Sequence, residues 1–187
     1  MERLDDIIGM EGLPAETDRA EVGGAVSGWR YRLAVVQYYR SVYRVAQALL
    51  RDAAEAEDVT QETFVRYWQR GVGIERPREW LMKVARNGCL DRLRRTGRTV
   101  TGADDDVFEQ PDNRDPAWHY ENRELAAELQ RAIARLKEPQ RSLVVLFDVQ
   151  GMSAAECAQI VGLNVNQVKV YLHRARRRLR LELEGSR

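Results

Sequence analysis

The sequence predicts an all-α chain: two small helical domains joined by a flexible acidic linker, the C-terminal domain containing a helix-turn-helix. Three observations carry this. Apolar residues recur at steps of three and four along most of the chain, the period of an amphipathic helix, and no stretch alternates with the period of two that a half-buried strand needs. Residues 96–118 break that period with Gly97, Gly102, Pro111, Pro116 and a run of acids, Asp104, Asp105, Asp106, Glu109, Asp112 and Asp115. Beyond them, a capping pair, a turn glycine and a second cap follow one another at helix-turn-helix offsets. The division is an N-terminal extension (1–28), a first helical domain (29–95), the linker (96–119) and a second helical domain (120–187). A length of 187 residues allows one or two small domains.

Residues 1–27 are acidic and contain Gly23 and Gly24. That composition predicts a mobile tail with one short helix near residues 4–10. From 29 to 50, Val36, Tyr39, Tyr43, Ala46 and Leu50 fall at helical steps and are expected to face inward. A second helix is expected over about 54–69, with Ala56, Val59, Thr60, Thr63 and Tyr67 inward. Asp58, Gln61, Glu62 and Val65 then share its outward face. An exposed valine beside two carboxylates and an amide suits a partner-binding face, and the same spacing suits an ordinary solvated one.

Residues 69–76 form a loop with two glycines, and Pro77 suits the first turn of a helix running to about 95. On that helix Trp80, Leu81, Val84, Ala85 and Cys89 make an apolar arc. Lys83, Arg86, Asn87 and Arg94 gather opposite. A basic helix beside an aromatic core and a glycine loop suits a DNA backbone track or a pocket for an unstacked base. A solvated basic face is the alternative. The linker, about 20 residues at about 3.3 Å each, reaches about 65 Å when extended, so the two domains need not touch.

In the second domain Leu125, Leu129, Ile133 and Leu136 predict a helix over 120–136. Pro139 opens another, whose apolar run 143–147 must be largely buried and which Gly151 ends. Ser153 and Glu156 form a capping box. Gly162 supplies the left-handed residue that stops the helix, and Asn164 caps the next. Val165, Val168, Leu172, Leu179 and Leu183 make one apolar stripe. The opposite face holds Asn166, Gln167, Val170, Arg174, Arg177 and Arg178. Amides and guanidiniums pair with base edges, and basic groups hold phosphates. A short helix, a glycine turn and a polar-faced second helix read as a DNA-binding helix-turn-helix; an antiparallel helix pair with a solvated basic face is the alternative.

The net charge of +1, from 30 basic and 29 acidic residues, hides segregation. Arg92, Arg94, Arg95 and Arg98 cluster, and residues 169–180 are basic without an acid. Near-neutrality therefore does not exclude a nucleic-acid partner. Cys89 and Cys157 make no disulfide framework and suit buried sites in a protein of the reducing cytoplasm. His119 and His173 have no ligand spacing around them. No phosphate-binding glycine loop, nucleophile with a base, or metal-ligand spacing is present, so no catalysis, cofactor or metal is expected. No signal peptide or spanning segment is read, so no membrane insertion is expected.

These residues resemble an extracytoplasmic-function sigma factor of bacterial RNA polymerase, over about residues 29–183. AEDVTQETFVRYW (56–68) is similar to the family's core-polymerase-binding helix. PREWLMKVARNGCLDRLRR (77–95) is similar to its promoter-melting and −10 helix, and AIARLKEPQRSLVVL with GMSAAECAQIVGLNVNQVKVYLHRARRRL to its −35 domain. The resemblance implies that Asp58, Gln61, Glu62 and Val65 grip the clamp coiled coil of core RNA polymerase. It implies that the 69–76 loop with Arg78, Lys83, Arg86, Asn87 and Arg92 captures a flipped base and the melted strand. It makes Asn166, Gln167, Val170, Tyr171 and Arg174 candidate readers of promoter DNA bases, and Lys169, His173, Arg176 and Arg177 candidate phosphate contacts. In the family the linker threads the polymerase, which gives Asp104, Asp105 and Asp106 a role as mimics of a nucleic-acid backbone. Two positions depart from the pattern: Cys157 stands for a branched aliphatic, and Tyr171 for a frequent arginine. An anti-sigma protein is a further implied partner, which no residue of the chain identifies. The rival reading is a stand-alone helix-turn-helix regulator, which would have no use for the face from Asp58 to Val65.

Overall fold

A computed structural model describes residues 28–70, 73–97 and 126–185. The N-terminal extension, Leu125 and nearly all of the linker, including Asp104, Asp105 and Asp106, lie outside the described residues. Among the described residues every regular element is helical: α1 Gly28–Leu50, α2 Ala53–Arg70, α3 Pro77–Arg95, α4 over 126–134, α5 Gln140–Val144, α6 Ala154–Val161 and α7 Val165–Gly185. α5 runs directly into a wider π-helical turn, Val145–Val149.

The first three helices pack against one another, and the seam is largely the one expected for α2. Ala56, Val59, Thr60, Thr63 and Tyr67 are buried, with Phe64 beside them. The two buried threonines return their hydroxyl protons to the carbonyls one turn back, Thr60 to Ala56 and Thr63 to Val59, each at 2.7 Å. That removes the penalty of an unpaired buried hydroxyl. For α1 the expected inward set holds at Ala46 and Leu50, which are buried, and fails at Val36. Val35, Val42, Val45, Ala46 and Leu49 form the seam, and Val36 is 64% exposed. Tyr39 and Tyr43 lie on the shoulder of that seam because a phenol needs a polar partner; Tyr39 donates to the Glu57 carboxylate and stacks on Phe64 at 5.7 Å.

In the second half, Ala132, Ile133, Leu136, Leu143–Leu146 and Met152 are buried, while Leu129, expected inward, is 39% exposed. Gly151 ends the π turn with φ +63°, a left-handed conformation open to glycine at no steric cost. On α7 the buried stripe is Val168, Leu172, Ala175 and Leu179. Val165, at the first position of α7, is 38% exposed, and Ala175 fills the gap in the expected stripe. Cys89 and Cys157 are both buried free thiols.

The two halves touch. Their buried apolar residues form one continuous cluster, from Ala34 in α1 to Leu179 in α7. The linker's length had allowed domains that need not touch; the structure instead gives them a shared interior.

Candidate nucleic-acid interface

The helix-turn-helix is built by local capping. The Ser153 hydroxyl accepts the Glu156 backbone N–H at 3.2 Å, and the Glu156 carboxylate accepts the Ser153 N–H at 2.7 Å. These bonds with Ser153 hold the Glu156 carboxyl below its ordinary range. Gly162 closes α6 with φ +79°, its N–H on the Ala158 carbonyl at 2.9 Å. Two residues on, the same reciprocal arrangement opens α7. The Asn164 side-chain oxygen accepts the Gln167 N–H at 2.8 Å, and the Gln167 side-chain oxygen accepts the Asn164 N–H at 2.9 Å. Sequence reading found the Asn164 cap but not the return bond from Gln167, although an amide three residues after a cap is its signal.

On α7, Asn166, Gln167, Lys169, Val170, His173, Arg174 and Arg177 are exposed together, and Tyr171 is half-buried at their edge. Val170 keeps 47% of its surface open, an apolar spot in a polar field. Arg176 is occupied differently. It forms an ion pair with Asp148 of the π turn and lies over the Phe147 ring at 5.4 Å. The Asp148 hydrogen bond raises its pKa further. Arg176 thus clamps α7 to the π turn that follows α5 while staying partly exposed.

Asp58, Gln61, Glu62 and Val65 are all exposed on one face of α2, with Val65 at 50%. Glu62 is held by Arg92 of α3 at 2.7 Å and by Arg66 at 3.8 Å. Arg92 also donates to the Glu55 carbonyl at 2.6 Å. Two residues assigned from the sequence to different partners are therefore paired with each other.

The α3 face differs most from expectation. Lys83 and Asn87 are exposed. Arg86 is only 8% exposed, and Arg78 is half-buried. Arg86 donates to the Ser142 hydroxyl at 2.9 Å and pairs with Glu138 at 3.5 Å, both in the second half. Arg78 donates to the Gln150 carbonyl at 2.5 Å. Beside them a cleft of about 330 Å³ lies between Gly73, Ile74, Trp80 and Lys83 on one side and Gln159 and Ile160 of α6 on the other. Among the described residues no group of three or more His, Cys, Asp or Glu could hold a metal ion. No described helix is long and apolar enough to cross a membrane.

Comparison with known proteins finds two matching families in the chain. Residues 34–99 match the family described as Sigma-70 region 2, and residues 126–179 the family described as Sigma-70, region 4. The chain is 32% identical over 178 residues to the ECF RNA polymerase sigma factor SigM of Mycobacterium tuberculosis, covering 92% of this chain and 87% of that one. It is 37% identical over 153 residues to SigL of the same species, covering 76% and 82%. It is 35% identical over 151 residues to SigE of Mycolicibacterium smegmatis, covering 78% of this chain and 58% of that longer one. Among solved structures, the sigma factor RpoE in complex with the anti-sigma factor NepR from Bartonella quintana has the same fold, with a TM-score of 0.66 at 22% identity, covering 84% of this chain and 99% of that one. CnrH, solved with the cytosolic domain of CnrY, gives 0.63 at 23% identity, covering 86% and 92%.

Proposed function

Since the chain belongs to the extracytoplasmic-function sigma factors of RNA polymerase, which bind the core enzyme and direct promoter-specific initiation, we propose how its surfaces divide that work. The face of Asp58, Gln61, Glu62 and Val65 docks on core polymerase. Arg78, Lys83, Arg86, Asn87 and Arg92, with the 69–76 loop, handle the −10 element and the melted strand. The exposed face of α7 reads the −35 element. The observation that carries this division is α7 itself: two capping pairs and a left-handed glycine present Asn166, Gln167, Val170 and Arg174 on one open face. Amide and guanidinium donors on a helix of that exposure match major-groove edges.

Within that reading Lys169, His173 and Arg177 hold phosphates, and Arg176 divides its charge between phosphate and Asp148. Tyr171 packs at the edge of the reading face. The chain does no chemistry of its own, and it works in the cytoplasm, where its DNA and polymerase are. An anti-sigma protein is a fitting regulator, since the RpoE and CnrH structures that share its fold were solved in complexes, with NepR and with the cytosolic domain of CnrY.

The test is co-elution with bacterial core RNA polymerase, followed by transcription from a promoter library. The wild-type chain co-elutes and yields transcripts from a sequence-defined subset. Asp58→Lys weakens co-elution without changing helicity, because Asp58 is exposed. Sequence-specific DNA binding by the chain alone, without co-elution, would instead identify a stand-alone regulator.

A further inference from the structure

Beside its reading face, α7 carries a basic flank. Lys169, His173 and Arg176 follow one another at helical steps of four and three, so they stack in one exposed row. Among the described residues, the ion pairs made by basic residues of α7 are Arg176 with Asp148 and Arg178 with Glu182. Lys169, Arg174 and Arg177 therefore keep their charges open. Arg178 pairs within its own helix, at 3.4 Å. Arg176 is the one whose acid is brought in from another element.

That contact is built at two points. The Arg176 Nε donates to Asp148 Oδ2 at 3.3 Å, and its Nη2 donates to Oδ1. The Phe147 ring lies against the guanidinium at 5.4 Å. Both partners sit on the π turn, where the buried run 141–146 gives way to more open residues. A carboxylate and a backbone phosphate make the same demand on a guanidinium fork, so Arg176 serves one of them fully only by leaving the other. Stability does not account for the pair. Its side chains are 53% and 32% exposed, and ion pairs so open to water contribute little. Val168, Leu172, Ala175 and Leu179 already seat α7. What the pair controls is charge, because Asp148 faces the acid-free stretch 169–180.

Resting on the reading of α7 as the −35 helix, we infer that Asp148 is a positioning residue that withholds Arg176 from the DNA backbone and so sets the sequence-independent part of this chain's grip on duplex DNA. With Asp148 in place the row offers phosphates Lys169 and His173 at full strength and Arg176 only weakly. The carboxylate also repels a phosphate that approaches Arg176. A grip one contact weaker lowers affinity for any duplex and leaves the base-reading residues untouched.

The test uses the full-length chain and a fluorescein-labelled duplex of random sequence, with affinity read by anisotropy from about 50 to about 200 mM salt. Each further phosphate neutralised steepens the plot of log affinity against log salt by about 0.9. Asp148→Asn keeps the shape and removes the charge. It is expected to raise affinity and to steepen the plot by that amount, which makes its gain about three- to fourfold larger at the low-salt end than at the high. Adding Arg176→Gln to Asp148→Asn returns the slope to wild type. Glu184→Gln makes the same change in net charge farther along α7 and leaves the slope where it was. An unchanged slope in Asp148→Asn overturns the inference, and so does an equal change in Glu184→Gln, which would mean that net charge alone acts. A loss of affinity in Asp148→Asn also overturns it, since the pair would then only seat the helix. If Asp148→Asn loses helicity, Asp148→Ser decides by the same readouts. Lys169→Ala tests the underlying reading and is expected to flatten the slope by about 0.9. If it does and Asp148→Asn changes nothing, the inference alone falls; if Lys169→Ala changes nothing, this row does not meet DNA, and the reading falls with the inference.

Discussion

At the scale of single residues, Gln167 shows how a structural bond limits a recognition role. Its side-chain oxygen accepts the Asn164 N–H, so the amide NH₂ is the end turned outward. An amide that reads adenine needs both its donor and its acceptor, whereas donors alone suit the acceptors of guanine or thymine. Gln167→Glu keeps an oxygen for the cap and removes the donors. It is expected to leave the melting temperature nearly unchanged and to relax preference at one −35 base pair by about 1–3 kcal/mol. Binding to duplexes with each base pair substituted in turn checks it; a wild-type preference that depends on the adenine exocyclic amine would sink the idea. The outward amide was legible as a candidate from helical spacing, but its restriction to donors was not, because the return bond to Asn164 is a property of the folded turn.

At the scale of elements, the helix-turn-helix was readable because its signals are local. Ser153, Glu156, Gly162 and Asn164 each act within four residues of themselves, and each does in the structure what its type and position implied. Gly162 gives the sharpest test. Its φ of +79° lies where a side chain is strained, although a Cβ there would meet nothing within 4 Å. Gly162→Ala therefore isolates backbone strain from packing and is expected to cost about 1 kcal/mol or somewhat more, measured by urea unfolding with an unchanged m-value. α1 was less legible. Val35 and Val36 are adjacent, and two tyrosines at helical spacing drew the inward face towards Val36. Burial chose Val35, because the tyrosines need an edge position where Tyr39 reaches Glu57. The π turn at Val145–Val149 left no mark in hydrophobic periodicity, since the whole run is apolar.

At the scale of the whole molecule, the sequence was silent about how the halves meet. The contacts that join them pair residues 52 to 93 positions apart, Arg86 with Glu138 and Arg141 with Ala48. No local pattern announces such pairs, and the long linker argued for independence. Arg86 was legible as a basic residue on a basic face; that Ser142 and Glu138 cover it was not. A shared interior predicts shared melting. Thermal unfolding followed by far-UV circular dichroism and by tryptophan fluorescence is expected to give one coincident transition, as for a single cooperative unit. Two resolved transitions would mean that the halves melt independently despite their contacts.

The two buried thiols give this chain a reporter of its own breathing. Cys89 lies on α3, close enough to Arg141 for that charge to pull on its pKa, yet burial dominates and pushes it up to about 12; Cys157, within the helix-turn-helix, is pushed up to about 11. Thiolate is the form that reacts with alkylating or oxidising reagents, and thiols raised this far stay protonated at neutral pH. Attack on either cysteine must therefore wait for local opening. Iodoacetamide labelling resolved by mass spectrometry would time the exposure of each half separately, and the same burial is expected to protect both cysteines of the folded chain from peroxide.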